Sequence, residues 1–262
     1  MAEFVPYITL STLAFEGIAK IFQSVVKSQP IQYSVSAVQL GAYVTSLIHS
    51  TVAVTGATFI LLQSIHLHSD RVFAVESSAS YLLAFSAGFF LHDLLDIIRR
   101  LKTFSDFCYF VHHAICFGLY ATATLRPICQ CWALVFLLYE ASTPFLSLQN
   151  LMRSMKLGTP TAISIVRGTF AFVFIVVRII LGTIASIYVC NDLVPLMSLQ
   201  PSHPELLLSF PHYSATAHPH IVIPVLILIC CGVFLILNLY WGHLIVVRVR
   251  RALSNKYSPK KL

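Results

Sequence analysis

Seven apolar runs, each of about 20 residues or more, follow one another along the chain with short polar segments between them. They cover approximately residues 5–26, 35–62, 77–98, 107–125, 128–148, 163–190 and 220–247. Because an α-helix rises 1.5 Å per residue, about 20 apolar residues suffice to cross the roughly 30 Å hydrocarbon core of a bilayer. The pattern predicts an all-α, polytopic membrane protein with about seven transmembrane helices.

The first run is the most polar of the seven. Glu16 and Lys20 interrupt it and are four residues apart, so they can pair on one helical face. A basic start and a small-residue cleavage site are both missing, which favours a retained first helix over a cleaved signal peptide. We expect three parts: a first transmembrane segment with its connector (1–34), a membrane domain (35–247) and a basic tail (248–262).

Composition excludes a soluble globular protein. Of the 262 residues, 57% are hydrophobic and only 10% are charged, whereas soluble domains carry about a quarter charged residues. The net charge of +7 lies in short clusters between apolar runs, so we expect membrane lipids as partners and no nucleic acid. The cysteines form no CxxC pair and no metal-ligand spacing with histidine, so we expect no metal and no bound cofactor.

Basic residues are distributed unequally between alternate loops. Loops 99–106 and 149–162 and the tail 248–262 are rich in Lys and Arg, whereas loop 191–219 has none. Because Lys and Arg in short loops mark the cytosolic side, an odd number of spans places the C-terminus in the cytosol.

Ionisable residues inside the apolar runs are the main indication of function. Such groups cost several kcal/mol in hydrocarbon, so they usually face a protein interior or a wet cavity and serve a task. The predicted orientation places the ionisable residues of four of these runs in the cytosolic half of the bilayer, where we expect them to form a single site. They are His92, Asp93, Asp96, His112, His113, Glu140 and Arg167.

The types of these residues suggest roles. His112 and His113 point about 100° apart, so one can face a cavity while the other contacts a neighbouring helix. A neutral imidazole can act as a general base or as an acyl-accepting nucleophile, with Glu140 or Asp93 fixing its tautomer. Arg178 lies too deep to reach water, so we expect it to pair with Glu140 or Asp93, or to hold a phosphate or carboxylate of a substrate.

Further polar residues leave alternatives open. His92 and Asp96 are four residues apart, so the carboxylate can orient the imidazole, although both fit equally well as interfacial residues. His49 fits a hydrogen bond between helices as well as a substrate contact.

The ordered motifs of the chain resemble the TLC domain, a family that includes ceramide synthases, translocating-chain-associated proteins and the ceroid-lipofuscinosis protein. They are SAGFFLHDLLD, RR, VHHAICFGLY, FLLYEASTPFLSLQ and FIVVRI, within about residues 40–247. The resemblance implies six helices around a central cavity open toward lipid, in the endoplasmic reticulum or a related membrane. His112 and His113 match the paired histidines that carry acyl transfer from acyl-CoA in ceramide synthases.

The chain is more similar to the TLC-domain-containing subgroup than to the ceramide synthases. Ala-Ile-Cys follows the histidine pair, and the downstream motif Glu140-x-Ser142-Thr143-Pro144 has a single acidic residue. His49 in SLIHS also resembles that subgroup. The resemblance implies a role in lipid metabolism or membrane lipid homeostasis.

The sequence leaves two functions open. A transporter would be a third, but the sequence shows no inverted repeat that supports it. The first is a membrane acyltransferase with acyl-CoA as a possible co-substrate. The second is a non-catalytic protein that binds or senses lipid. The predicted catalytic residues are His112, His113, Glu140 and Asp93; the predicted substrate-binding residues are His49, His92, Asp96, Ser142 and Arg178.

Overall fold

A computed structural model describes residues 2–29, 33–198 and 222–257 of the chain. These residues form ten α-helices, and a short 3₁₀ turn, Ala2–Phe4, precedes the first. The helices are α1 (Val5–Ser28), α2 (Ala37–Gln63), α3 (Ile65–Ser69), α4 (Ser77–Arg100), α5 (Phe104–Leu125), α6 (Gln130–Leu137), α7 (Thr143–Ser154), α8 (Pro160–Phe174), α9 (Gly182–Ser198) and α10 (Val222–Tyr257). The 3₁₀ turn Leu138–Ser142 links α6 to α7, and the π-helical turn Ile175–Leu181 links α8 to α9.

Six helical runs in the described part of the chain are long and apolar enough to cross a membrane. They are Val5–Ser28, Ala37–Gln63, Ser77–Arg100, Gln130–Ser154, Pro160–Pro195 and Val222–Arg251. The predicted span 107–125 forms a helix at its expected place, α5, whose 22 residues also reach across a bilayer core. His112 and His113 interrupt its apolar run. The prediction of an all-α polytopic membrane protein is confirmed.

Two helices extend beyond the predicted spans. The loop expected from residue 191 begins later, because α9 continues through Pro195 to Ser198. Proline is tolerated in transmembrane helices, where neighbouring groups satisfy the backbone that it frees. The basic tail expected from residue 248 begins as helix, since α10 runs to Tyr257. Residues 199–219, 220–221 and 258–262, which belong to the predicted loop, last span and tail, lie outside the described residues.

Helix α1 packs tightly against α4 at Gly88. A Cβ atom on Gly88 would lie 2.4 Å from Cβ of Ser11 and 2.7 Å from the backbone oxygen of Ile8. Ser11 Oγ donates to the backbone oxygen of Phe85 (2.8 Å), and Thr12 Oγ1 donates to that of Gly88 (3.1 Å). Small residues allow this approach of two helix backbones, and the hydroxyls then join them.

At the end of the bundle that carries residues 70–76, the chain is densely packed, and polar contacts hold the loop against two helices. The Arg71 guanidinium donates twice to Asp192, at 2.8 and 2.7 Å, and lies over the ring of Trp132. Trp132 Nε1 also donates to Asp192, at 3.0 Å. These contacts tie the loop after α3 to α6 and α9. The cavities described below lie at the opposite end, near Arg100 at the end of α4 and Arg248 of α10.

Candidate functional site

A cavity of about 360 Å³ lies at the end of the bundle where α4 and α10 end. Its volume is within the range of small-molecule pockets. Residues of six helical runs line it, from α2, α4, α5, the α6–α7 run, the α8–α9 run and α10. This arrangement confirms the predicted packing of six helices around a central cavity. No lining residue of this cavity comes from the described part of α1.

Asp93 of α4 and His113 of α5 form a close pair in the wall of the cavity. His113 Nε2 lies 2.8 Å from Oδ2 of Asp93, and its Nδ1 lies 2.8 Å from the backbone oxygen of Tyr109. A carbonyl oxygen only accepts, so Nδ1 must carry a hydrogen and donate it. The contact between Nε2 and the carboxyl group then requires one further proton, held by either partner. The pair can therefore supply a proton to a bound molecule.

His112 makes fewer and weaker hydrogen bonds than His113, although it is buried beside it. Its Nδ1 has no hydrogen-bond partner among the described residues. Its Nε2 lies 3.7 Å from Sγ of Cys116 and 3.9 Å from Oε1 of Glu140, so only the sulfur offers it a weak hydrogen bond. The centroids of the His112 and His113 rings are 5.2 Å apart. His112 therefore keeps hydrogen-bonding capacity that a ligand can use.

Glu140 and Arg178 form a buried ion pair on the other side of the cavity. Arg178 Nη2 lies 2.9 Å from Oε1 of Glu140, and Thr143 Oγ1 donates to the other carboxylate oxygen at 2.6 Å. Arg178 Nε also donates to the backbone oxygen of Tyr139 at 2.9 Å. Since Arg178 lies in the π-helical turn and its partners lie in or beside the 3₁₀ turn, the network joins the two irregular turns. π-Helical turns are frequent at functional sites.

Aromatic residues form much of the remaining wall, and charged residues lie where the helices end. The aromatic residues are Tyr43, Phe89, Phe90, Tyr109, Phe170, Phe174 and Trp241, and the arginines at the helix ends are Arg100 and Arg248. Such a lining suits a molecule with an apolar part inside and an anionic part at the helix ends.

Asp106 also lines this end of the cavity, in the first turn of α5. It forms a capping box with Thr103, whose side chain accepts from the Asp106 backbone while the Asp106 carboxylate accepts from the Thr103 backbone. Hydrogen bonds from Thr103 and from the backbone of Lys102 hold the pKa of the Asp106 carboxyl below its usual value. The cap fixes the start of the helix that carries both histidines.

Residues 32–247, which include every lining residue of this cavity except Arg248, match the TLC domain. The chain belongs to the TLC domain family. Together with the six apolar helices, this shows an integral, multi-pass membrane protein.

Three relatives illustrate the similarity of this TLC domain to known proteins. Topoisomerase I damage affected protein 4 of Saccharomyces cerevisiae is 32% identical over 184 residues, 66% of this chain and 64% of that protein. TLC domain-containing protein 1 of Gallus gallus is 34% identical over 115 residues, 44% of this chain and 46% of that protein. TLC domain-containing protein 4 A of Dictyostelium discoideum is 24% identical over 183 residues, 67% of this chain and 60% of that protein. The chain thus spans less than two thirds of the length of each relative. The family resemblance drawn from the motifs is confirmed.

Most of the residues predicted for the site line the TLC domain cavity. They are Asp93, His112, His113, Glu140, Ser142 and Arg178. Of the two partners predicted for Arg178, Glu140 or Asp93, the structure shows Glu140. We expected one histidine to face the cavity and the other to contact a neighbouring helix. Instead, both line the cavity, and His113 also bonds to Asp93 of α4.

His49, His92 and Asp96 lie outside this cavity, and so does Arg167, which is exposed, contrary to the expected convergence. His49 is fully buried and stacks on Phe89, with 3.9 Å between ring centroids and no hydrogen-bond partner for either nitrogen among the described residues. Of the two alternatives left open for His92 and Asp96, the structure does not show the contact between them. His92 Nδ1 instead lies 3.3 Å from Glu16, and Asp96 pairs with Arg100 at 2.7 Å.

Several lining residues were not singled out from the sequence. Thr143 bonds both members of the Glu140–Arg178 pair, and its place three residues after Glu140 was a usable signal. Trp241 and Tyr109 carried no such signal, because aromatic residues are common in apolar helices. The described residues contain no group of three or more His, Cys, Asp or Glu side chains that could hold a metal ion.

Proposed function

We propose that this TLC domain protein transfers an acyl group from acyl-CoA to a membrane lipid inside the cavity. The observation that carries the proposal is the pair of adjacent imidazoles in different hydrogen-bonding states. His113 shares a proton with Asp93, whereas His112 lacks a strong partner among the described residues. One can therefore donate a proton while the other accepts one.

The proposed reaction uses these two states in order. His112 takes the proton from a hydroxyl or amine of the acceptor as that heteroatom bonds to the acyl carbonyl carbon. The carbon–sulfur bond then breaks, and the leaving thiolate of CoA takes the proton held by His113 and Asp93. Transfer of the proton on His112 back to that pair restores the starting state, with an acylated lipid and free CoA as products. The aromatic walls suit the acyl chain, and Arg100 and Arg248 suit the phosphates of CoA.

The proposal includes a cytosolic C-terminus and residence in the endoplasmic reticulum. Arg99 and Arg100 end α4, and Arg248, Arg250 and Arg251 lie on the last turns of α10. Basic residues at the ends of spans favour the cytosolic side, from which acyl-CoA reaches the cavity. The organelle rests on the family resemblance alone. Glycosylation sites introduced into loops at either end of the bundle test the orientation, and fluorescence microscopy of the tagged protein tests the organelle.

The decisive experiment measures acyl transfer by the purified protein in lipid nanodiscs. A panel of acyl-CoA donors is offered with defined lipid acceptors, and mass spectrometry follows acylated lipid and free CoA. His112→Ala and His113→Ala should each abolish turnover, whereas His243→Ala, which removes an exposed imidazole on α10, should retain it. Folded wild-type protein without turnover on any donor and acceptor would overturn the proposal.

A second function has support from one observation. Glu140 is already bonded to Arg178 and Thr143 and lies 3.9 Å from His112. Among the described residues, therefore, no carboxylate is within hydrogen-bonding distance of His112 to activate it. This arrangement also fits a protein that holds a lipid headgroup through His112 without chemistry. Lipid that co-purifies with the wild type and is lost in His112→Ala, in the absence of turnover, would favour lipid binding over catalysis.

A further inference from the structure

A second cavity, of about 390 Å³, lies between α1, α2 and α4. We call it the α1 cavity. It is mostly separate from the histidine-lined cavity, with which it shares only Ala42 and Arg100 among the described residues. Its α1 residues lie outside the range 32–247 that matches the TLC domain. It therefore belongs in part to a helix that the family match does not include.

The α1 cavity has an excess of positive charge. Lys20, Arg99 and Arg100 contribute three positive charges, and Glu16 and Asp96 contribute two negative charges, which leaves +1 with His92 neutral. An anion with a single charge would neutralise the lining.

Both carboxylates of the α1 cavity are already paired. Glu16 lies 3.0 Å from Nζ of Lys20 and 3.3 Å from Nδ1 of His92, and Asp96 lies 2.7 Å from Nη2 of Arg100. Arg99 has no carboxylate within ion-pair distance among the described residues, and the Lys20 side chain is 70% exposed. The charge available to a ligand is therefore that of Arg99, and the exposed Lys20 can reach the same ligand by leaving Glu16. A guanidinium is well suited to bind a phosphate through two hydrogen bonds.

We propose that the α1 cavity binds the phosphate of an anionic phospholipid headgroup. Arg99 and Arg100 are the last residues of α4, a membrane-spanning helix, so the cavity lies at the level of lipid headgroups. On the same helix as Lys20, the apolar side chains of Leu13 and Ile21 are 62% and 68% exposed, respectively, and offer a surface to acyl chains. A soluble phosphate ion has the same charged group but gains nothing from that apolar surface. The site does not use the histidine pair, so it can be tested independently of acyl transfer.

Native mass spectrometry of the full chain, stripped of lipid in detergent, tests this proposal. The probes are phosphatidylglycerol, phosphatidylcholine with the same acyl chains, and inorganic phosphate. We expect one phosphatidylglycerol to bind at least about tenfold more tightly than phosphatidylcholine. Both lipids carry the phosphate, but the choline of phosphatidylcholine adds a positive charge that the net positive lining repels, and such a repulsion near a protein surface is worth about that factor or more. Arg99→Gln should remove most of this preference, and Lys20→Gln should reduce it.

The matched control is Arg250→Gln, which removes one positive charge from α10, away from the α1 cavity. It should leave the preference intact, and so should His112→Ala, which alters only the other cavity. Equal binding of the two lipids, or equal losses in Arg99→Gln and Arg250→Gln, would overturn the proposal. Inorganic phosphate that binds where phosphatidylglycerol does not would assign the cavity to a soluble anion and overturn it as well. Thermal unfolding of each variant verifies that it is folded.

Discussion

Replacement of Arg178 by methionine should strongly destabilise the protein. Arg178 is only 6% exposed and bonds the Glu140 carboxylate at 2.9 Å, so its loss leaves a buried negative charge with Thr143 as the remaining close donor among the described residues. Removal of one member of a buried ion pair costs about 3–5 kcal/mol. That is a change of about two to nearly four orders of magnitude in the folding equilibrium. Thr143→Val removes a hydrogen bond to the same carboxylate but leaves the ion pair, and a hydrogen bond to a charged group is worth about 1.5–3 kcal/mol, so this variant should cost less.

The assay is unfolding of the purified protein in mixed micelles by titration with a denaturing detergent. A double-mutant cycle with Glu140→Gln separates the ion pair from packing. Because Glu140→Gln removes the uncompensated charge, the double variant should be more stable than Arg178→Met alone. A loss below about 1 kcal/mol in Arg178→Met, or strictly additive losses in the double variant, would refute an ion pair that holds the two irregular turns together.

Three further predictions concern other parts of the bundle. Gly88→Ala should lower stability by about 1–3 kcal/mol in the same unfolding assay, because the added Cβ meets Ser11. The control is Gly118→Ala, which should be tolerated because its added Cβ would meet no described atom within 4 Å. Asp192→Ala should lower stability by about 1–3 kcal/mol and change tryptophan fluorescence, since Trp132 Nε1 loses its acceptor; unchanged fluorescence would contradict this. The pKa of Asp106 is lowered in the folded protein, so its cap stabilises the fold fully above the unfolded pKa of about 3.9. This stabilisation is lost as the pH falls through the folded pKa. Acid should therefore reduce the stability of the wild type more than that of Asp106→Asn in the same unfolding assay.

The apolar runs predicted the helices well because the bilayer imposes a length and a composition that are visible residue by residue. That Arg178 pairs with a carboxylate was also predictable, since a deep arginine must find an anion within the protein, although its depth left Glu140 and Asp93 open as partners. The prediction rested on depth alone and required no knowledge of how the helices pack, and the 2.9 Å contact confirms it.

Contacts that depend on competition between helices were not predictable in this way. The spacing of His92 and Asp96 places them on one face of α4, but it does not reveal that Glu16 of α1 reaches His92 or that Arg100 reaches Asp96. The 3₁₀ turn at Leu138–Ser142 and the π-helical turn at Ile175–Leu181 have no signature in hydropathy, because every residue in them except Glu140 and Arg178 suits an ordinary transmembrane helix.

The π-helical turn has a consequence for how this membrane protein tolerates change. Phe170, Phe174, Arg178 and Gly182 are spaced by four, and in a regular α-helix each step of four residues rotates the next side chain by about 40°. The wider turn at Ile175–Leu181 offsets this rotation, so that Phe174, Arg178 and Gly182 all remain buried. A deletion of one residue in the regular helix on either side of it would rotate everything beyond the deletion by about 100°. A π-helical turn instead holds one extra residue, so the same deletion within it can restore α-helical geometry with little rotation of the flanking helices. This turn is therefore the place where the span can change its length by one residue at the lowest cost.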